Sequence, residues 1–130
     1  MIAAILNASS GITAANEWMA TTAGNIANAN DAVAPGTPTY SAQTPVLAPI
    51  RGGAGTGAGV QVTGVALGPS TGVPAYQSGS PQANAQGVVE YPTDSLVSQL
   101  VQNNIASLSF QANAAVLRHA QAAYQSVLAA

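Results

Sequence analysis

Ser10-Gly11-Ile12-Thr13-Ala14-Ala15-Asn16-Glu17-Trp18-Met19, running on to Asn25-Ile26-Ala27-Asn28-Ala29-Asn30, decides how this chain folds. Ile5, Ile12, Met19 and Ile26 recur every seven residues, and Ala8 and Ala15 follow Ile5 and Ile12 three residues later. A seven-residue apolar repeat with a small second position makes the narrow seam of a helix that packs on another helix. The helix so predicted runs from Ala3 to Ala29. Gly11 and Gly24 each cost it about 1 kcal/mol relative to alanine, which leaves it marginal alone. Asn30-Asp31, then Pro35-Gly36 and Pro38, end it and start an irregular connection.

The other end carries the matching pattern. Val97, Val101, Ile105, Leu108, Ala112 and Val116 step by three or four, which predicts an amphipathic helix reaching about Leu128. Asp94 or Thr93, after Pro92, is the expected N-cap. Leu117, Ala120, Tyr124 and Leu128 form a second apolar line, so little of the circumference is plainly solvent-facing. A helix apolar on several sides requires several neighbours, and the chain offers one other long helix.

Between Tyr40 and Tyr91 the period changes. Gly59-Val60-Gln61-Val62-Thr63-Gly64-Val65 alternates as a half-buried strand does. Tyr40 to Leu47 is a weaker candidate, interrupted by Pro45 and so expected at an edge. Val88-Val89-Glu90-Tyr91 is a third, entered through the turn-rich stretch Gly79 to Gly87. The fold class is therefore α+β: long N- and C-terminal helices pair as a coiled-coil-like unit, with a small loop-rich β element between them. Residues 1–32 and 93–130 are the expected assembly core and residues 33–92 the β element and loops.

Composition limits the function. Of 130 residues 28 are alanine, so the core is shallow. Two arginines, Arg51 and Arg118, face four carboxylates, Glu17, Asp31, Glu90 and Asp94, with no lysine and a net charge of −2. Two arginines cannot build a basic stripe for phosphates, which argues against nucleic acid as a partner. So few charges offer little repulsion between copies, and self-association is favoured. There is no cysteine, hence no disulfide or thiolate site. Met1 to Leu6 lack the basic start of a signal peptide and break off at Asn7, Ser9 and Ser10.

Catalytic, cofactor and metal residues are not expected. His119, the one histidine, lies beside Arg118, and the carboxylates show no spacing for a metal cage or an acid–base pair. The tract Gly52 to Gly59 lacks the Lys-Ser/Thr of a phosphate loop and leads into a strand, so it reads as a flexible linker.

Three blocks in order carry a family resemblance: Ser10-Gly11-Ile12-Thr13-Ala14 continuing to Asn25-Ile26-Ala27-Asn28-Ala29-Asn30; Gly59 to Val65 with Gly79-Ser80-Pro81-Gln82-Ala83-Asn84; and Phe110-Gln111-Ala112-Asn113, where a Tyr-Gln-Ala-Asn motif would stand. Together they resemble the bacterial flagellar basal-body rod proteins over nearly the whole chain. The resemblance implies a structural, non-enzymatic subunit of the proximal rod that polymerises through its terminal helices into a periplasm-crossing drive shaft and export-channel wall. It implies partners among its own copies, other rod proteins, the flagellar export apparatus and the membrane rings, with no small-molecule substrate, and export without a cleaved signal. A different axial subunit and a small secreted binding module remain as alternatives.

The assembly interface expected on these grounds comprises Ile5, Ile12, Met19, Asn25, Ile26 and Asn28 on the first helix. On the last it comprises Val97, Val101, Ile105, Leu108, Gln111, Ala112, Asn113, Val116, Leu117 and Tyr124. Among the asparagines, Asn30 reads as a helix terminator and Asn25 as a hydrogen-bonding group for a neighbouring subunit.

Overall fold

A computed structural model describes residues 2–53 and 57–129. The elements run α1 (Ile2–Asn28), β1 (Gln43–Arg51), β2 (Gly57–Leu67), β3 (Val73–Tyr76), β4 (Val88–Tyr91) and α2 (Leu96–Leu128). The architecture is α+β, with the two terminal helices packed on one another and the strands between them in sequence. At about 1.5 Å per residue, α1 is about 40 Å long and α2 about 50 Å. No helix among the described residues is long and apolar enough to cross a membrane.

The helix ends are set by side chains. Asn28 Nδ2 donates to the Gly24 carbonyl at 2.7 Å, a local bond of the kind that ends helices, and α1 stops there, well before Pro35. α2 starts from Ser95, whose backbone is extended and whose hydroxyl accepts from the Ser98 N–H at 3.3 Å. This corrects the expectation of a cap at Asp94 or Thr93. The capping side chain must come from the residue just before the first helical one, and Asp94 is one residue too early. Its Oδ1 accepts instead from Gln99 Nε2 at 3.1 Å.

β1 and β2 form an antiparallel hairpin from Gln43↔Leu67 to Arg51↔Gly57, with register shifts after Val46 and after Pro49. The first strand starts three residues later than Tyr40 and continues past Leu47. A two-stranded sheet has only edge strands, so Pro45 and Pro49, which cannot donate to a ladder, are tolerated in β1. Gly57 to Gly59 of the Gly52–Gly59 tract belong to β2, and Arg51 pairs with Gly57, so the tract falls within this hairpin rather than between units. Its residues 54–56 lie outside the described residues.

β3 and β4 make a second antiparallel pair, Val73↔Tyr91 to Tyr76↔Val88, and Val33 bridges to Glu90 on the far side of β4. β3 has no counterpart among the sequence expectations: four residues containing a proline give no alternation to detect. Val89 of β4 is fully buried. The remaining buried apolar residues are Ala8, Ala14, Ala15, Ala29 and Ala106, so the core is thin.

Candidate assembly surface

The helices run antiparallel, as three pairings show. Asn25 Nδ2 donates to Gln99 Oε1 at 3.0 Å and Thr22 Oγ1 to Asn103 Oδ1 at 3.0 Å, while a methyl group added at Gly11 would sit 2.6 Å from the Asn113 side chain. The α1 positions that meet α2 and the strands are Ala8, Gly11, Ala15, Trp18, Thr22 and Asn25, continuing to Ala29 after the helix. This is an alternation of three and four, as in a two-helix seam. It lies three residues beyond the isoleucine repeat. Ala8 and Ala15 belong to the seam, whereas Ile5, Ile12, Met19 and Ile26 are only half-buried at its flank. The sequence reading joins both sets in one seam; the structure separates them and puts the small ones at the contact, because small side chains let two helix axes approach closely.

Asn25 is 1% exposed and spends its whole amide inside the chain. Its Nδ2 donates to the Gln43 carbonyl at 2.8 Å as well as to Gln99, and its Oδ1 accepts from the Gln43 N–H at 2.8 Å and from Tyr40 Oη at 3.0 Å. One side chain thus ties α1 to the approach to β1, to β1 itself and to α2. The expectation that Asn25 bonds to a neighbouring subunit is corrected: an amide offers two donors and two acceptor lone pairs, and all four sites are used here.

A second pin lies near the other end of α1. Ser10 Oγ accepts from the Val60 N–H at 3.1 Å and donates to the Asn7 carbonyl at 2.8 Å. Gly59 stands against it with φ +117°, a conformation other residues rarely adopt, and a Cβ there would collide with Ser10 Oγ. A third pin is Asn113, whose Nδ2 bonds to the Ser109 carbonyl at 2.8 Å and whose amide fills the notch left by Gly11. Glycine at 11 and asparagine at 113, both within the family-like blocks, therefore form one steric pair.

The outward face of α2 is built differently. Val97, Val101, Ile105, Leu108, Val116 and Tyr124 are exposed by 43% to 70%, and Leu100 is exposed beside them. Gln111 and Ala112 are exposed too, with Gln111 Nε2 reaching only to Ser107 Oγ at 3.3 Å, whereas Asn113 and Leu117 are half-buried. On α1, Ile2 and Leu6 are exposed and Asn28 is half-buried. A row of large apolar side chains in water is what an unfilled packing face looks like. Among the described residues no group of three or more histidines and carboxylates gathers that could hold a metal ion.

Sequence reasoning missed Gln99 and Asn103 as seam residues, since polar residues in a helix read as solvent-facing. The available signal was their position: Gln99, Asn103, Ala106 and Asn113 follow the 4-3-7 spacing of a seam, out of phase with the apolar stripe.

No protein-family model matches the chain. Over 111 residues, 85% of this chain and 82% of the relative, it is 35% identical to the flagellar basal-body rod protein FlgC of Escherichia coli O6:H1. At the same coverage it is 34% identical to FlgC of Salmonella typhimurium and 32% identical to FlgC of Yersinia enterocolitica.

Proposed function

The chain belongs to the FlgC family of flagellar basal-body rod proteins, and on that premise we propose that this structural rod subunit polymerises through its two terminal helices. Residues 1–32 and 93–130 form the assembly core, and residues 33–92 decorate it. The observation that carries this reading is the mismatch within α2. The face turned to α1 is small and polar, while the apolar stripe from Val97 to Tyr124 is exposed.

Fully burying a valine, leucine or isoleucine yields about 1.5–3 kcal/mol, and the six stripe residues are 43% to 70% exposed, so about half of that energy is still unrealised in the isolated chain. Neighbouring subunits release it. The free subunit is accordingly marginal in stability and gains its full order on assembly. Its partners are its own copies, other rod proteins, the export apparatus and the membrane rings. The assembled helices line the export channel across the periplasm, reached through that channel without removal of a signal peptide. No catalytic role is assigned to it.

The test is complementation of a strain lacking the native subunit. Leu108→Asp places a charge on the stripe without touching the seam, and the expected outcome is loss of rod incorporation and of motility. Wild-type motility with Leu108→Asp would overturn the proposal.

A further inference from the structure

A series of side-chain hydrogen bonds that crosses from the approach to β1 to the start of α2 ends on a carboxylate. Tyr40 Oη donates to Asn25 Oδ1 at 3.0 Å, Asn25 Nδ2 to Gln99 Oε1 at 3.0 Å, and Gln99 Nε2 to Asp94 Oδ1 at 3.1 Å. Every donor in the series points toward Asp94, and its two middle members are buried, Asn25 at 1% exposure and Gln99 at 8%. Asp94 Oδ2 closes it: this oxygen is shielded from solvent and has no hydrogen-bond partner among the described residues. A carboxylate oxygen so placed is costly unless a donor meets it, and a charged donor meets it best.

Room for a donor lies alongside. Asp94 borders a hollow of about 430 Å³ together with Tyr40, Thr44, Thr93 and Gln99. The Tyr40 hydroxyl hydrogen is committed to Asn25, so its oxygen can only accept there. Ala42 and Pro69 give the same hollow an apolar wall. The terminal torsion of an aspartate is soft, and a small turn brings Oδ2 to the hollow. No cation of the chain reaches it. Arg118 lies past Asn113, which sits at Gly11, about 20 Å along α1 from Asn25. Arg51 ends β1, about 25 Å from Gln43, and the chain has no lysine.

We propose that this hollow binds the ammonium or guanidinium group of a lysine or arginine side chain carried by a partner protein, with Asp94 Oδ2 accepting from the cation and the alkyl stem lying against Ala42 and Pro69. An acidic hollow lined by acceptors and walled on one side by carbon fits a cation on a stem. A bare metal ion is a poorer match, because it needs several oxygen ligands and Asp94 is the one carboxylate lining the hollow. The site goes beyond the rod reading and does not rest on it, since it belongs to the single subunit.

The test follows the side-chain amide resonance of Gln99 in the full-length chain during titration with N-acetyl-lysinamide and with N-acetyl-argininamide. Methylammonium chloride, potassium chloride and magnesium chloride are separate arms. Both amino-acid amides should shift the resonance saturably and raise the melting temperature, since a ligand of the folded state stabilises it. Methylammonium, which lacks the stem, should bind more weakly. Asp94→Asn keeps the oxygen that accepts from Gln99 and puts a donor in place of the other, so it should bind at least about tenfold more weakly. Glu17→Gln, midway along α1 and outside the hollow, should bind as wild type. Thr44→Leu narrows the hollow with Asp94 in place and should also weaken binding; it decides the matter if Asp94→Asn does not fold by circular dichroism. No saturable shift, a folded Asp94→Asn or Thr44→Leu variant that binds as wild type, or methylammonium, potassium or magnesium binding as tightly as the amino-acid amides would each overturn the proposal.

Discussion

The inner and outer faces of α2 solve opposite problems. The inner face, Gln99, Asn103, Ala106 and Asn113, buries little apolar area but makes specific bonds and fits, to Asn25, to Thr22 and into the notch at Gly11. The outer face, from Val97 to Tyr124, leaves a large apolar area exposed. Hydrogen bonds and close fits fix register, because a slip of one residue leaves buried amides unpaired. Apolar burial is non-directional and supplies affinity. Register is thus settled inside the subunit, and the affinity is left for its neighbours.

The sharpest way to break the inner face is Asn25→Ala. It removes four hydrogen bonds and leaves the Gln43 N–H and carbonyl, Gln99 Oε1 and Tyr40 Oη without a partner at that site. Unsatisfied buried groups cost about 1–3 kcal/mol each, partly relieved by water, so a loss of about 3–5 kcal/mol is expected. For a thin alanine core that is enough to unfold most of the isolated chain. The measurement is the far-ultraviolet helix signal, and a variant keeping the wild-type signal and melting curve would show that Asn25 is no hub.

A smaller effect is expected at the tight contact. Gly11→Ala should raise helix propensity by about 1 kcal/mol. Its methyl group meets the Asn113 amide at 2.6 Å, however, and overpacking costs about 1–3 kcal/mol. The net is a loss of about 1 kcal/mol, reversed to a gain when Asn113→Ala is added. Thermal unfolding of both single variants and the double checks this. Additive effects would mean that the two residues are not a steric pair.

Much of the fold was legible because period alone identifies helices: the seven-residue repeat and the three-and-four stripe gave both helices within one or two residues of their ends. The alternation in Gly59 to Val65 gave β2 for the same reason. What is not legible is which residues of each helix meet the other. The isoleucine repeat and its trailing alanines read as one seam and the stripe of α2 as an interface for neighbours, and neither reading reveals that alanine, glycine and amides make the contact between α1 and α2. Asn25 reads as a group for a neighbour because nothing local in a sequence reveals that Tyr40, Gln43 and Gln99 converge on it. Ser95 was missed as a cap for a simpler reason, since Asp94 is an equally good capping residue one position away.

At the N-terminus of α2 the expected effect is modest. Ser95→Ala removes the one side-chain bond to the Ser98 N–H and should cost about 1 kcal/mol, seen as a lowered melting temperature with the helix signal nearly unchanged. Asp94→Ala does not remove that cap and acts instead through Gln99, so a larger helix-end effect from Asp94 than from Ser95 would make Asp94 the cap.

The smallest effect on the isolated subunit is expected where the effect on assembly is largest. Leu108 is 64% exposed, so replacing it with aspartate removes little buried area from the free chain, and the lower helix propensity of aspartate, about 0.5 kcal/mol, is the main cost. The melting temperature should therefore move less than for Ser95→Ala. The same substitution places a carboxylate where a neighbour's apolar side chains would pack, and a buried unpaired charge is among the costliest changes available. Measuring both quantities on one variant separates the two faces: subunit stability nearly intact and incorporation lost means that the outer face serves neighbours alone. If stability fell by several kcal/mol instead, Leu108 would be buried within the chain in solution and the division between the faces would fail.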